Sequence, residues 1–177
     1  KVAEIVQKRY NLHIHKPTRW SLMFKGEGRK IFELLNDTYT DIYGYIRLTD
    51  KLIDQYIAQY IPFVNPDFIT IIRDHNTPDH KMVGFGLSMP SLATTMKKLP
   101  KGRLLPFGWF HLVKTLFFRK KHQTVDLMLI GVLPEYRPKG TNALMFTDLI
   151  PRYAKCDIEW AETQVQLIEN SNAITQW

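Results

Sequence analysis

The chain has 177 residues, 45% hydrophobic and 23% charged, with 24 basic against 17 acidic side chains and a single cysteine, Cys156. That composition suits one domain with a sizeable core, and it excludes a disordered tail, a disulfide framework and a cysteine-rich zinc site. No apolar run approaches the roughly 20 residues of a spanning helix, and the lone thiol fits a reducing compartment, so a cytoplasmic location is expected.

Residues 1–25 read as an upstream segment that belongs to a preceding unit. Leu12–His15 alternates, Pro17 interrupts, and Trp20–Phe24 resumes, a pattern of strands around a turn. His13 and His15 share one strand face, but no third ligand lies nearby, and no metal is expected. Gly26 and Gly28 then punctuate, and Ile31, Leu34, Leu35, Tyr39, Ile42 and Tyr43 carry helical spacing over Arg29–Tyr43. Thr49 is an N-cap for a second helix that Pro62 ends. Phe68–Arg73 and Lys81–Met89 form a hairpin around the turn-rich 74–80.

Residues 91–123 read as a basic helical insertion. Between Met96 and Val125 there are eight basic side chains and no acid, which exceeds the whole net charge of +7. The remainder is near neutral, which argues against a generally polycationic nucleic-acid binder. The segment is either a solvated basic face or an attractor for an acidic ligand, a membrane surface or a phosphate-bearing cofactor. Thr124–Leu133 is an apolar run of the kind a central strand carries. A helix over 141–155, bent or interrupted at Pro151, a strand near 160–168 and a helix start at Asn170 complete the order. The fold class is α+β. There is no initiator Met, and the stop at Trp177 reads as truncation of a fragment.

The junction from Asp126 to Ala154 is the most informative stretch. A polar loop with Arg137, Lys139 and Gly140 between a buried strand and a helix start leaves several amides without intrahelical acceptors. Such a turn cradles anions, and charge-assisted bonds there contribute about 1.5–3 kcal/mol each. Water serves the same amides in an ordinary strand-to-helix junction.

Residues 129–144, LIGVLPEYRPKGTNAL, resemble the coenzyme A motif of the GNAT (GCN5-related N-acetyltransferase) superfamily, and Asn170–Ala173 resembles its second motif. The resemblance covers about 29–177. It implies a mostly antiparallel central sheet with helices on both faces, in a GNAT-like domain over 26–177. It further implies an acyl-coenzyme A co-substrate, acetyl-coenzyme A in the simplest case, and transfer to a small-molecule or peptide amine within a ternary complex. Carried over by residue, it implies pyrophosphate contacts from the amides of Arg137 through Ala143, including Lys139, Gly140, Thr141 and Asn142. Main-chain bonds from Ile130 and Val132 to the pantetheine arm follow in the same way, as does a contact or strand-splaying role for Asn170. Gly131 is either a bulge or a packing glycine. Asp126 matches the general base of some members; its alternative is an exposed aspartate at a strand start.

The sequence departs from the pattern at three points. Pro138 has no N–H, Asn142 replaces a small residue, and Trp177 stands where many members carry a tyrosine that protonates the departing thiolate. These departures support a second reading, a catalytically degraded binding or structural module. A third, a basic nucleic-acid or membrane-surface binder, rests on 96–125 and its interleaved aromatics. Tyr56, Tyr60, Trp109 and His111 are candidate acceptor-pocket residues or plain packing. The sequence fixes neither the acceptor nor the oligomeric state.

Overall fold

Among the described residues five strands lie side by side in sequence order, three neighbouring pairs antiparallel and the last pair parallel. The computed structural model describes residues 2–93, 97 and 124–163. The elements are α1 (Val2–Tyr10), β1 (Leu12–His15), α2 (Arg19–Phe24), α3 (Glu27–Tyr39), α4 (Asp50–Tyr60), β2 (Ile69–Asp74), β3 (Met82–Pro90), β4 (Thr124–Val132), α5 (Thr141–Lys155) and β5 (Trp160–Thr163). Most of the basic segment, and the chain beyond Thr163 with Asn170 and Trp177, lie outside the described residues, as do Trp109 and His111.

Side-chain alternation on β3 assigns the helices to faces. A Cβ on Gly84 or Gly86 would meet Met145 of α5, whereas Phe85 pairs with Gly131, whose Cβ would meet Thr38 of α3. Helices therefore cover both faces of a mostly antiparallel sheet, as expected. Ile71, Ile72, Val83, Phe85 and Leu144 are fully buried between the layers. Each contributes about 1.5–3 kcal/mol relative to exposure. A smaller cluster of Phe68, Val125, Leu149 and Tyr153 closes the β4–α5 end.

Residues 12–15 fall in the stretch read as upstream; they form the edge strand of this sheet, and α1 packs on α5. Residues 19–24 are helical, not extended. Thr18 and Ser21 form a reciprocal capping box, with bonds of 2.9 and 3.0 Å, and local capping overrides a short apolar pattern that fits either period. The helix expected from Arg29 starts at Glu27 and ends at Tyr39, and α5 runs through Pro151 without a break. Ser91 N–H donates to the Thr124 carbonyl at 3.0 Å, so the connection between β3 and β4 leaves and rejoins the sheet at one point.

Three histidine rings cluster, tilted against one another, beside the β2–β3 turn. His75 lies 4.1 Å from His13 and 4.2 Å from His80, with Arg73 and Asp74 adjacent. Among the described residues no group of His, Cys, Asp or Glu is arranged to hold a metal ion. Desolvation, and then the rings of His13 and His80, pull the His75 pKa below its ordinary 6.5. The unfolded chain therefore takes this proton at higher pH than the folded one, and stability falls as pH drops below that value. Urea midpoints measured at about pH 7.5 and about pH 5.5 will show the loss, and His75→Gln will shrink it.

Candidate functional site at the β4 edge

Strand β4 changes register halfway along. Leu87 faces Leu129 while Ser88 faces Leu127, so Met128 is an extra residue, a β-bulge. Before it, among the described residues, 124–127 pair in parallel with 160–163. Beyond it, Leu133 N–H donates to the Val83 carbonyl at 3.0 Å. By the two-residue period, residues 129 and 131 face β3, whereas Ile130 and Val132 turn their N–H and C=O groups to the opposite edge. Both residues expected to offer main-chain bonds therefore present them away from β3.

Gly131 is a packing glycine, and the bulge sits three residues earlier. It pairs in register with Phe85, and a Cβ there would lie 2.6 Å from Phe85 Cε1 and 2.8 Å from Thr38 Oγ1. The missing side chain lets α3 approach β4, which brings two side chains onto that side of the strand. Tyr39 Oη donates to the Ile130 carbonyl at 3.1 Å. Arg137 Nε donates to the Val132 carbonyl at 3.1 Å, and its Nη2 to the Thr38 carbonyl at 3.3 Å. Burial raises the Tyr39 pKa above the ordinary phenol value, so its proton is held through the neutral range.

After β4 the chain makes a 3-10 turn over Pro134–Lys139 and enters α5 through Gly140, whose φ of +75° favours glycine. Tyr136 anchors this turn: its hydroxyl donates to buried Asp74 at 2.7 Å. Burial, and then that carboxylate, push the Tyr136 pKa up to about 12. Lys139 Nζ sits 3.8 Å from the centre of the Tyr136 ring and 5.8 Å from that of Tyr10. Val6 of α1 lies 3.2 Å from where a Gly140 Cβ would be.

The implied amide run from Arg137 to Ala143 is partly engaged within the loop. Gly140 N–H donates to the Arg137 carbonyl at 3.4 Å, Ala143 N–H donates to the Gly140 carbonyl at 3.0 Å, and Pro138 has none. The amides of Thr141 and Asn142, at the start of α5, have no intrahelical acceptor. Thr141 Oγ1 donates to the Tyr136 carbonyl at 2.8 Å and holds the turn against the helix. Asn142 Oδ1 is buried without a hydrogen-bond partner. Helix start and lysine fit an anionic group, the buried Asn142 Oδ1 accepts only from a donor, and the outward main chain of Ile130 and Val132 fits an extended chain of amides.

Asp126 lies in the β4–β5 ladder opposite Glu162 and Met89. Its neighbours Val125 and Leu127 pack with Leu149 and Tyr153 of α5, so Asp126 points to the α3 face, the side from which Tyr39 approaches. Tyr56 and Tyr60 pair with each other on α4, ring centres 5.5 Å apart, and Tyr56 packs on Phe32. Tyr39 and Met128 were not among the sequence candidates. The helical stripe over Arg29–Tyr43 assigned Tyr39 to plain packing, and nothing local in the sequence marks its contact with Ile130.

No family model matches the sequence, and no curated protein matches it. Solved structures do. A possible acetyltransferase from Clostridium difficile 630 aligns over 93% of this chain and 86% of its own, with a TM-score of 0.53 and 14% identity. An aminoglycoside acetyltransferase from an uncultured soil metagenomic sample aligns over 94% and 88%, with a TM-score of 0.50 and 12% identity. At such identities the likeness is one of fold. With its α+β layers, strand order and near-complete coverage, the chain has the GNAT-like acetyltransferase fold.

Proposed function

We propose that this chain is an acyl-coenzyme A-dependent N-acyltransferase, acetyl-coenzyme A being the simplest donor and an amine on a small molecule or peptide the acceptor. The observation that carries the reading is the bulge at Met128, which shifts the register of β4 and is followed by Ile130 and Val132 with their main chain turned away from β3, next to the helix start at Thr141. A thioester supplies an activated acyl carbon. The chain's own work is positioning. The amides of Thr141 and Asn142, with Lys139, would hold the diphosphate; Ile130 and Val132 would align the arm. Asp126, on the α3 face, would take the proton of the attacking amine directly or through water. A cytoplasmic location, resting on the single thiol Cys156, belongs to the same proposal.

A second reading is favoured by one observation: Tyr39 and Arg137 already hold the two outward carbonyls. In that reading the fold serves as a binding or structural module. Thermal unfolding with coenzyme A and with acetyl-, butyryl- and octanoyl-coenzyme A separates the two. At a hundredfold excess over Kd, binding adds about 2.7 kcal/mol, which raises Tm by about 5–10 °C in a domain of this size. Stabilisation with thiol release supports the enzyme, and stabilisation without release supports the module. Absence of any shift overturns the coenzyme A reading.

A further inference from the structure

Helix α2 has six residues and two faces of opposite character. Leu22 is fully buried in the core, while Trp20 and Phe24, one turn apart, hold their rings outward, 61% and 63% exposed. The helix itself is firmly seated. A Cβ on Gly28 would lie 2.5 Å from the Leu22 carbonyl oxygen, so the bare glycine lets α2 lie directly on the start of α3. The Thr18 and Ser21 capping box closes one end, and the Ser21 hydroxyl also donates to buried Glu27. Two large rings kept outward by this many ties do not belong to a fraying segment.

The apolar surface continues beyond α2. Arg19 Nη1 donates to the Pro62 carbonyl, which ties α2 to the 3-10 turn Ile61–Phe63 at the end of α4. Phe63 on that turn and Tyr60 just before it are half exposed. Exposed rings gathered on adjoining elements mark a surface that meets a partner or a membrane, unlike apolar residues scattered singly.

Charge decides which. From Ile5 to Gly26 the chain carries five basic side chains and no acid. Arg19 and Lys25 bracket the two rings in sequence, and exposed Lys30 follows near the start of α3. The acids of the neighbouring helices already serve other cations: Glu27 bonds Arg73, and Asp50 and Asp54 bond Arg29. Such a face suits a partner that is anionic at its surface and apolar beneath. An anionic bilayer is layered in that way, with indole and phenol rings settling at headgroup level and lysine and arginine heads meeting the lipid phosphates. Nucleic acid fits less well. The Trp20 and Phe24 rings close on each other, centres 4.5 Å apart and tilted by 43°, and leave no slot in which a base could stack.

We propose that the α2 face, with Trp20 and Phe24 as its anchors and Lys25 and Lys30 beside them, docks on an anionic lipid bilayer. Attachment is peripheral, since among the described residues no helix is long and apolar enough to cross a membrane. Rings and charges are two modest signals acting together, so binding is reversible and weakens with salt. The proposal uses no residue of 96–125 and does not depend on the coenzyme A reading.

The test is co-sedimentation of the full chain with vesicles of phosphatidylcholine and phosphatidylserine, and with vesicles of phosphatidylcholine alone. Binding to the mixed vesicles is expected, about tenfold or more tighter than to the neutral ones. Trp20→Ser with Phe24→Ser should weaken it at least about tenfold while the urea midpoint stays near that of the parent, because both rings are exposed. Lys25→Glu with Lys30→Glu, a change at two exposed positions, should weaken it by a similar factor. Undiminished binding in either double variant overturns the proposal, as does equal binding to the neutral vesicles or binding to neither. So does a concentration-dependent dimer, seen by sedimentation without vesicles, that the ring variant abolishes; that result gives the face to a second copy of the chain.

Discussion

Gly131→Ala is expected to unfold at distinctly lower urea concentration than the parent, with a loss of about 2–3 kcal/mol. The added methyl group would lie 2.6 Å from Phe85 Cε1, 3.2 Å from its Cζ and 2.8 Å from Thr38 Oγ1. Neither neighbour yields easily. Phe85 is fully buried, and Thr38 Oγ1 is bonded back to the carbonyls of Leu34 and Leu35 within α3. Relief requires α3 to move off β4, which withdraws Tyr39 and the Thr38 carbonyl from the β4 edge. On the proposed coenzyme A reading, stabilisation by coenzyme A should decline along with the urea midpoint. Gly86→Ala is the control: its Cβ would find Leu149 and Met145 at 3.6 Å, ordinary contact, and its midpoint should barely move. Equal midpoints for the two variants would show that the α3–β4 approach is not tight.

The second large effect belongs to Glu27, far from the β4 edge. Its carboxylate, 10% exposed, bonds Arg73 at 2.8 Å and His15 at 2.7 Å and accepts from Ser21. One side chain thus joins β1, α2, α3 and β2. Glu27→Ala leaves Arg73 charged and largely buried without this partner, at a cost of about 2–4 kcal/mol, the lower part of that range reflecting half-exposed His15. Asp37→Ala, which breaks an exposed pair with Arg47, should change stability by only about 0.5 kcal/mol or less. Burial alone would raise the Glu27 carboxyl, but the Ser21 hydrogen bond and the charges of His15 and Arg73 hold it below 4.5. A lowered folded pKa means that its contribution is present above that value and disappears as pH falls through the folded value. The parent should lose stability in that acid range, and Glu27→Ala should lose less. Parallel curves for the two would contradict this assignment.

Local chemistry was the legible part of the sequence. Thr49 caps α4, its hydroxyl accepting from Leu52 N–H at 3.4 Å, and the β2–β3 hairpin falls within a residue of its expected bounds. Gly140 and the α5 start were legible because a glycine before a helix pattern has few other uses. Helix α2 was not, since a six-residue apolar stretch fits a strand as well as a helix, and the capping pair Thr18 and Ser21 decides it. The occupants of the β4 edge were beyond reach for a different reason. Tyr39 meets Ile130 across 91 residues, and Arg137 meets Thr38 across 99, contacts that exist only once the sheet has brought α3 over β4. Of the two readings left open for Gly131, packing holds, and the bulge lies at Met128, where nothing in a methionine marks an inserted residue.

Met128 gives β4 a half-period slip. On its N-terminal side the odd-numbered Val125 and Leu127 pack towards α5; on its C-terminal side Gly131 is aimed at α3, and the even-numbered positions take over the α5 side. One strand can then keep apolar groups towards α5 at both ends although the parity of its sequence changes between them. A version with the slip removed would rotate residues 124–127 together, forcing the Asp126 carboxylate in among Phe68 and Tyr153 and expelling Val125. The irregularity is thus what lets a single strand serve the same helix with residues of opposite parity at its two ends.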